Sequence, residues 1–217
     1  MPSLEAILAV TLAGLALSAT PGPSMLYVLS RSVGQSRGAG LASAVGLCLG
    51  GLVLAVATAF GLAQVFERSD WLITALRYAG SAYLVWLGID MIRGAKEAAK
   101  VTYEVEAVER RSLSSIVWQG VIVEMLNPKT VLFFSLFLPP FIAVSDGAIV
   151  GAQLQLQLLV LGILVPLTAI PMDLVVAFTG GSMARFLNRR RDMRSWMSWV
   201  AGAVLIAIAA NLHLSFF

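Results

Sequence analysis

Six long apolar runs separated by short polar stretches dominate the chain, approximately residues 5–30, 41–66, 71–92, 115–138, 150–182 and 195–216. A helix rises 1.5 Å per residue, so about 20 apolar residues cross the roughly 30 Å of bilayer hydrocarbon. Every run is long enough, and the pattern predicts an all-α integral membrane protein with six transmembrane helices. The fifth run exceeds one perpendicular crossing, and its leading Gln153-Leu154-Gln155-Leu156-Gln157 is polar enough to lie in the interface. Pro139-Pro140 closes the fourth, because Pro lacks an amide donor and turns the residue before it away from helical geometry.

The first and fourth runs are interrupted. One carries Ser18-Ala19-Thr20-Pro21-Gly22-Pro23-Ser24, the other Glu124-Met125-Leu126-Asn127-Pro128-Lys129-Thr130. In a helix interior Pro costs about 3 kcal/mol and Gly about 1 relative to Ala, so these residues would only weaken a plain anchor. Three runs precede residues 94–114 and three follow, so a tandem three-helix unit must enter the membrane the second time from the other side. The predicted organisation is a first three-helix repeat over 1–93, a cytoplasmic connection over 94–114 and an inverted second repeat over 115–217, with broken first and fourth helices. Pro21 lies 14 residues beyond Ile7 and Pro128 lies 12 beyond Ile116, about 21 and 18 Å along a helix. Both breaks therefore reach mid-membrane, from opposite sides. Inverted repeats with interrupted helices around a midplane site are a hallmark of secondary transporters; a kink used only for packing is the plainer alternative.

Composition agrees with membrane residence: of 217 residues, 59% are hydrophobic and 12% charged, against about 25% charged in soluble domains. Mean hydropathy is +0.86. The net charge of +3 does not make a nucleic-acid binder, because the basic residues form no continuous face. Instead, 12 of the 15 fall in three connections: Arg31 and Arg37; Arg93, Lys96, Lys100, Arg110 and Arg111; Arg185, Arg189, Arg190, Arg191 and Arg194. The remaining connections hold Arg68 beside Glu67 and Asp70, and Asp146. By the positive-inside rule the basic connections are cytoplasmic and both termini external. The N-terminal Met-Pro-Ser-Leu-Glu lacks a positive n-region and reads as the start of a retained first span.

Candidate chemistry sits at the breaks. Freed backbone groups, with Ser18, Thr20 and Ser24, suit a zwitterionic small molecule: amide dipoles toward a carboxylate, carbonyls toward an ammonium. Ionisable side chains at membrane depth suggest function, and here they are Glu124, Lys129 and Asp173. Glu124 and Lys129 are five residues apart, about 140° around a regular helix, so Pro128 between them leaves a neutralising pair open. Asp173 follows Pro166 and Pro171, with no basic residue in the first two thirds of its run. It suits a proton carrier, or a partner for Lys129. Gly46 with Gly50, and Gly180 with Ala184, are small-residue pairs that permit close helix packing and suit a homodimer face. Trp71, Trp86, Trp118, Trp196 and Trp199 lie toward run ends, as interfacial anchors do.

Several alternatives find little in the residues. A single cysteine, Cys48, excludes an intrachain disulfide and a CxxC redox centre, and no nucleophile and base are brought together for an intramembrane enzyme. An exporter of metal or other small ions would gather His, Cys or carboxylate ligands in the spans. No such cluster is present, His213 is the only histidine, and no cofactor or metal site is expected. No GxxxxGK[ST] motif is present for ATP, so a gradient must supply the energy.

The chain resembles the small six-span amino-acid exporters of bacteria, the LysE and RhtB group. The likeness lies in Thr20-Pro21-Gly22-Pro23, in the Leu76–Gly88 run LRYAGSAYLVWLG, in Asn127-Pro128-Lys129 and in the Trp199–Ile206 run WVAGAVLI. The resemblance implies export of amino acids or close derivatives across the bacterial inner membrane, driven by the proton motive force. It also implies a transport core at Pro21, Gly22, Pro23, Asn127, Pro128 and Lys129; Glu124 and Asp173 come from the residues themselves, as candidates for proton coupling. Replacing Pro21 and Pro23 together by Ala is expected to straighten the first span and abolish transport. Unchanged uptake by vesicles carrying the double variant would return the motif to a packing role.

Overall fold

The computed structural model describes residues 1–66, 70–100, 108–142, 151–189 and 191–214, and every regular element among them is helical. In chain order these are α1 (Leu4–Ala19), α2 (Pro23–Gly34), α3 (Arg37–Phe66), α4 (Asp70–Lys100), α5 (Leu113–Met125), α6 (Pro128–Leu132), α7 (Gly151–Arg189) and α8 (Arg191–Leu214). A π-helical turn, Phe133–Phe137, and a 3-10 turn, Pro139–Phe141, follow α6. Glu67, Arg68, Asp146 and Arg190 lie outside the described residues, as do the side chains of Asp70, Trp71, Lys100, Ala184, Arg185, Arg191, Arg194 and His213.

Parts of α3 (37–61), α7 (152–182) and α8 (195–212) are each long and apolar enough to cross a membrane. Two bent pairs qualify as broken spans: α1 with α2, bent by 50°, and α5 with the segment from Pro128 to Phe141, bent by 51°. That gives up to five spans among the described residues; α4, which covers the expected third span, is not one of them. Both bends have the same local cause. The chain leaves helical geometry and restarts with Pro23 or Pro128 at the first helical turn, where a missing amide costs nothing. The restarts differ in their caps: Asn127 Oδ1 accepts from the Lys129 amide at 3.1 Å, whereas Gly22 provides no side-chain cap.

By contrast, α7 runs through Pro166 and Pro171 as one helix of 39 residues. It packs on α1, α2 and α3, while α3 also packs on α5, and α4 pairs with α8. Gln157, in the stretch expected at the interface, is buried. Glycines set the closest approaches. A Cβ on Gly46 would collide with the Val117 carbonyl and Gly120, and one on Gly88 with the Gly202 carbonyl. The largest core is aromatic at its centre: Phe133, Phe134 and Phe137 are fully buried, and Phe137 stacks on Phe133 with centroids 4.0 Å apart. Leucines and tryptophans such as Leu8, Leu12, Trp86 and Trp118 are exposed, as a lipid-facing surface requires.

One basic residue departs from its expected place. Helix α2 continues to Gly34, so Arg31 is not in a connection but is buried in the helix. It donates to the Glu109 carbonyl at 2.9 Å and to Gln119 Oε1 at 2.8 Å. Beside it, Gln35 exchanges hydrogen bonds with the Arg111 backbone. Together they fasten the end of α2 to the segment entering α5.

Overpacking costs about 1–3 kcal/mol. Gly46→Leu is expected to lose at least that much, because the colliding atoms are backbone, whereas Gly61→Leu, which points into open space, should change little. Thermal unfolding of both variants in detergent checks the contrast.

Candidate functional site

The two breaks meet and are joined by side chains. From the first, Ser24 Oγ donates to Glu124 Oε2 at 2.5 Å and accepts from Asn127 Nδ2 at 2.9 Å. From the second, Lys129 Nζ reaches back to the end of α1, donating to the Leu17 carbonyl at 3.1 Å and to Thr20 Oγ1 at 2.8 Å. Thr130 Oγ1 donates to Glu124 Oε1 at 2.8 Å, so both carboxylate oxygens are engaged. An ammonium at the C-terminal end of α1 faces the negative end of the helix dipole, which favours it there.

Charge is distributed differently from a simple neutralising pair. Among the described residues no ion pair joins Lys129 to Glu124 or to Asp173. Each member of the Glu124 and Lys129 couple instead bonds to the opposite break. Asp173, one helix away on α7, is buried and lies within electrostatic reach of Glu124.

A single cavity collects these groups. Ser18, Thr20, Gly22, Pro23, Ser24, Glu124, Asn127, Lys129 and Asp173 all line it; Pro21 and Pro128 do not, and act through the backbone they redirect. Its volume, as space open to the centre of a water molecule, is about 80 Å³. One water needs about 10–15 Å³ on that measure, so the space takes several waters or a small polar solute. The opposite wall is apolar, with Leu47, Phe133, Phe134 and Val165. A Cβ on Gly22 would meet the Thr20 carbonyl at 3.9 Å and Lys129 Nζ at 4.0 Å without collision. The uncapped start of α2 thus has an ammonium beside it, the elements of an anion site.

Some lining residues carried no signal in the sequence. Thr130 stands in the second interrupted stretch, yet only the fold turns its hydroxyl onto Glu124. Cys48 lines the cavity because α3 packs against α7, and in the sequence it reads as one more small residue. The π-helical turn that brings both Phe133 and Phe134 to the cavity has no sequence mark. Among the described residues no three His, Cys, Asp or Glu side chains converge as a metal site requires.

Known proteins share this chain's pattern. The model of the LysE type translocator family matches residues 15–215. An uncharacterized membrane protein of Pseudomonas aeruginosa is 30% identical over 193 residues, 88% of this chain and 87% of that one. The threonine efflux protein of Escherichia coli is 26% identical, covering 90% of this chain and 91% of its own length. The homoserine/homoserine lactone efflux protein of Salmonella typhimurium is 29% identical, covering 90% of each. No solved structure matches.

A buried donor or acceptor that loses its partner costs about 1–3 kcal/mol. Ser24→Ala strips one partner from Glu124 and one from Asn127, so it is expected to destabilise by that amount or more. Ser114→Ala, at an exposed position, should stay within about 0.5 kcal/mol. Chemical denaturation in detergent compares the two.

Proposed function

We propose that this chain, which belongs to the LysE type translocator family, is a secondary transporter that exports amino acids or close derivatives from the bacterial cytoplasm. The observation that carries the reading is the meeting of two broken helices around one cavity with both charge signs on its wall. That is the arrangement in which half-helix ends bind small charged solutes at the midplane. Relatives named as threonine and homoserine efflux proteins, matched along nearly their whole length, support the same substrate class.

In this reading the chain spans the inner membrane six times, as inverted three-helix repeats over 1–93 and 115–217 joined by a cytoplasmic connection at 94–114, with both termini external. The packing is consistent with such a repeat. If the first span corresponds to the fourth, the second to the fifth and the third to the sixth, then α1 on α7 has its counterpart in α5 on α3. The α3–α7 and α4–α8 pairs map onto themselves. The nearly equal bends of 50° and 51° fit the same correspondence.

Substrate is held between the breaks by Ser18, Thr20, Gly22, Pro23, Ser24, Asn127 and Lys129, with Pro21 and Pro128 shaping the backbone that presents them. Its carboxylate lies at the uncapped start of α2 with the Lys129 ammonium beside it. Rocking of one half against the other exposes the site alternately to the two sides, and a proton moving inward drives export. Glu124 and Asp173 are the carboxylates available for that proton. The small-residue positions expected to suit a homodimer face are instead used within the chain, Gly46 and Gly50 against α5 and Gly180 against Ser32 and Val33 of α2.

Liposomes containing the purified protein, given an imposed pH gradient, are expected to move at least one of a panel of labelled amino acids, and to stop when a protonophore collapses the gradient. Movement of none of the panel overturns the reading.

A further inference from the structure

Of the three acidic or basic side chains on the cavity wall, two are already committed to protein partners. Lys129 bonds to Leu17 and Thr20, and Glu124 has both oxygens occupied by Ser24 and Thr130. Asp173 is different. Its residue is only 8% exposed and lines the cavity, and no described residue makes a hydrogen bond or ion pair with it. The ionisable groups facing it are Cys48 from α3, Glu124 from α5 and Lys129 from α6, while α1, α2 and the π-helical turn present only hydroxyl, backbone and apolar groups.

A carboxylate so enclosed is unfavourable when ionised, because burial strips most of its water and no protein donor or cation takes that water's place. It needs a cation or a proton. Resting on the export reading above, we infer that Asp173 alternately holds the ammonium group of the exported molecule and the counter-moving proton, each excluding the other. When the amine departs on the outer side, the carboxylate takes a proton there and returns as the neutral acid. On the inner side the O–H bond breaks, the proton passes to water, and the next ammonium takes its place. No electrons move, and one carboxylate exchanges one proton for one substrate molecule.

The inference narrows the substrate class. The amine is the obligatory group, since it alone satisfies Asp173. The carboxyl end meets the start of α2 and Lys129, whose ammonium already has protein partners, so derivatives altered there keep the Asp173 contact. Amino-acid amides and lactones should therefore compete for the site, and 2-hydroxy acids should not.

Equilibrium binding of labelled L-threonine, with L-leucine and L-homoserine in parallel, to the purified protein between pH 5 and 9 tests this. One-for-one competition predicts affinity rising about tenfold per pH unit until the proton no longer competes. The hydroxy acid matching the bound amino acid should fail to displace it at a hundredfold excess, whereas its amide should displace it. Asp173→Asn, checked for monodispersity, should bind more weakly and without pH dependence. Affinity that is independent of pH in the unmodified protein, or displacement by the hydroxy acid as effective as by the amino acid itself, overturns the assignment and leaves the export reading standing. Neither measurement requires the variant to fold. Binding of none of the three, together with no transport across the liposome panel, overturns the export reading itself.

Discussion

The Ser24 hydroxyl, held between the Glu124 carboxylate and the Asn127 amide, is the contact on which the interior is organised. Inside a bilayer no water is at hand to complete a broken helix, so irregular backbone survives only where protein or a wet cavity satisfies it. Each interruption here satisfies the other. Lys129 of the second break closes the end of α1, while Glu124 and Asn127 hold the start of α2. Neither interruption has this support without its counterpart, and both charged side chains used for the purpose come from the second break.

The two interruptions are nevertheless unequal. Asn127 caps its own half-helix, which leaves that end self-contained. Gly22 provides no side-chain cap and lines the cavity, so the unfinished end belongs to α2. Glycines elsewhere do the opposite task, removing side chains so that helix backbones touch at Gly46 with Gly120 and at Gly88 with Gly202.

Much of this was legible in the sequence. Proline within apolar runs located both interruptions, because its missing amide is a local property that needs no tertiary context. Most side-chain partnerships were not. Glu124 and Lys129, five residues apart, invited a direct pair; the bend at Pro128 sends them to different partners on the opposite break. Arg31 reads as one of the loop charges that set orientation, and it does lie near a helix end, but its guanidinium turns inward to a carbonyl more than seventy residues away. Pro166 and Pro171 of the fifth run lack the same amide, yet α7 continues through both, packed on α1, α2 and α3. Propensity identified where a helix is weak, and neighbours decided whether it broke.

Helix α2 is fixed at both ends. Ser24 ties its start to the second break, and Arg31 with Gln35 ties its finish to the segment entering α5. A rod of 12 residues, about 18 Å long, cannot stretch between two such fasteners. It moves with α5 as one body while both hold, and relative to α5 only when one lets go. Displacing α2 from α5, and with it the cavity residues Pro23, Ser24 and Met25, therefore costs the release of a discrete hydrogen-bonded clasp at one end or the other.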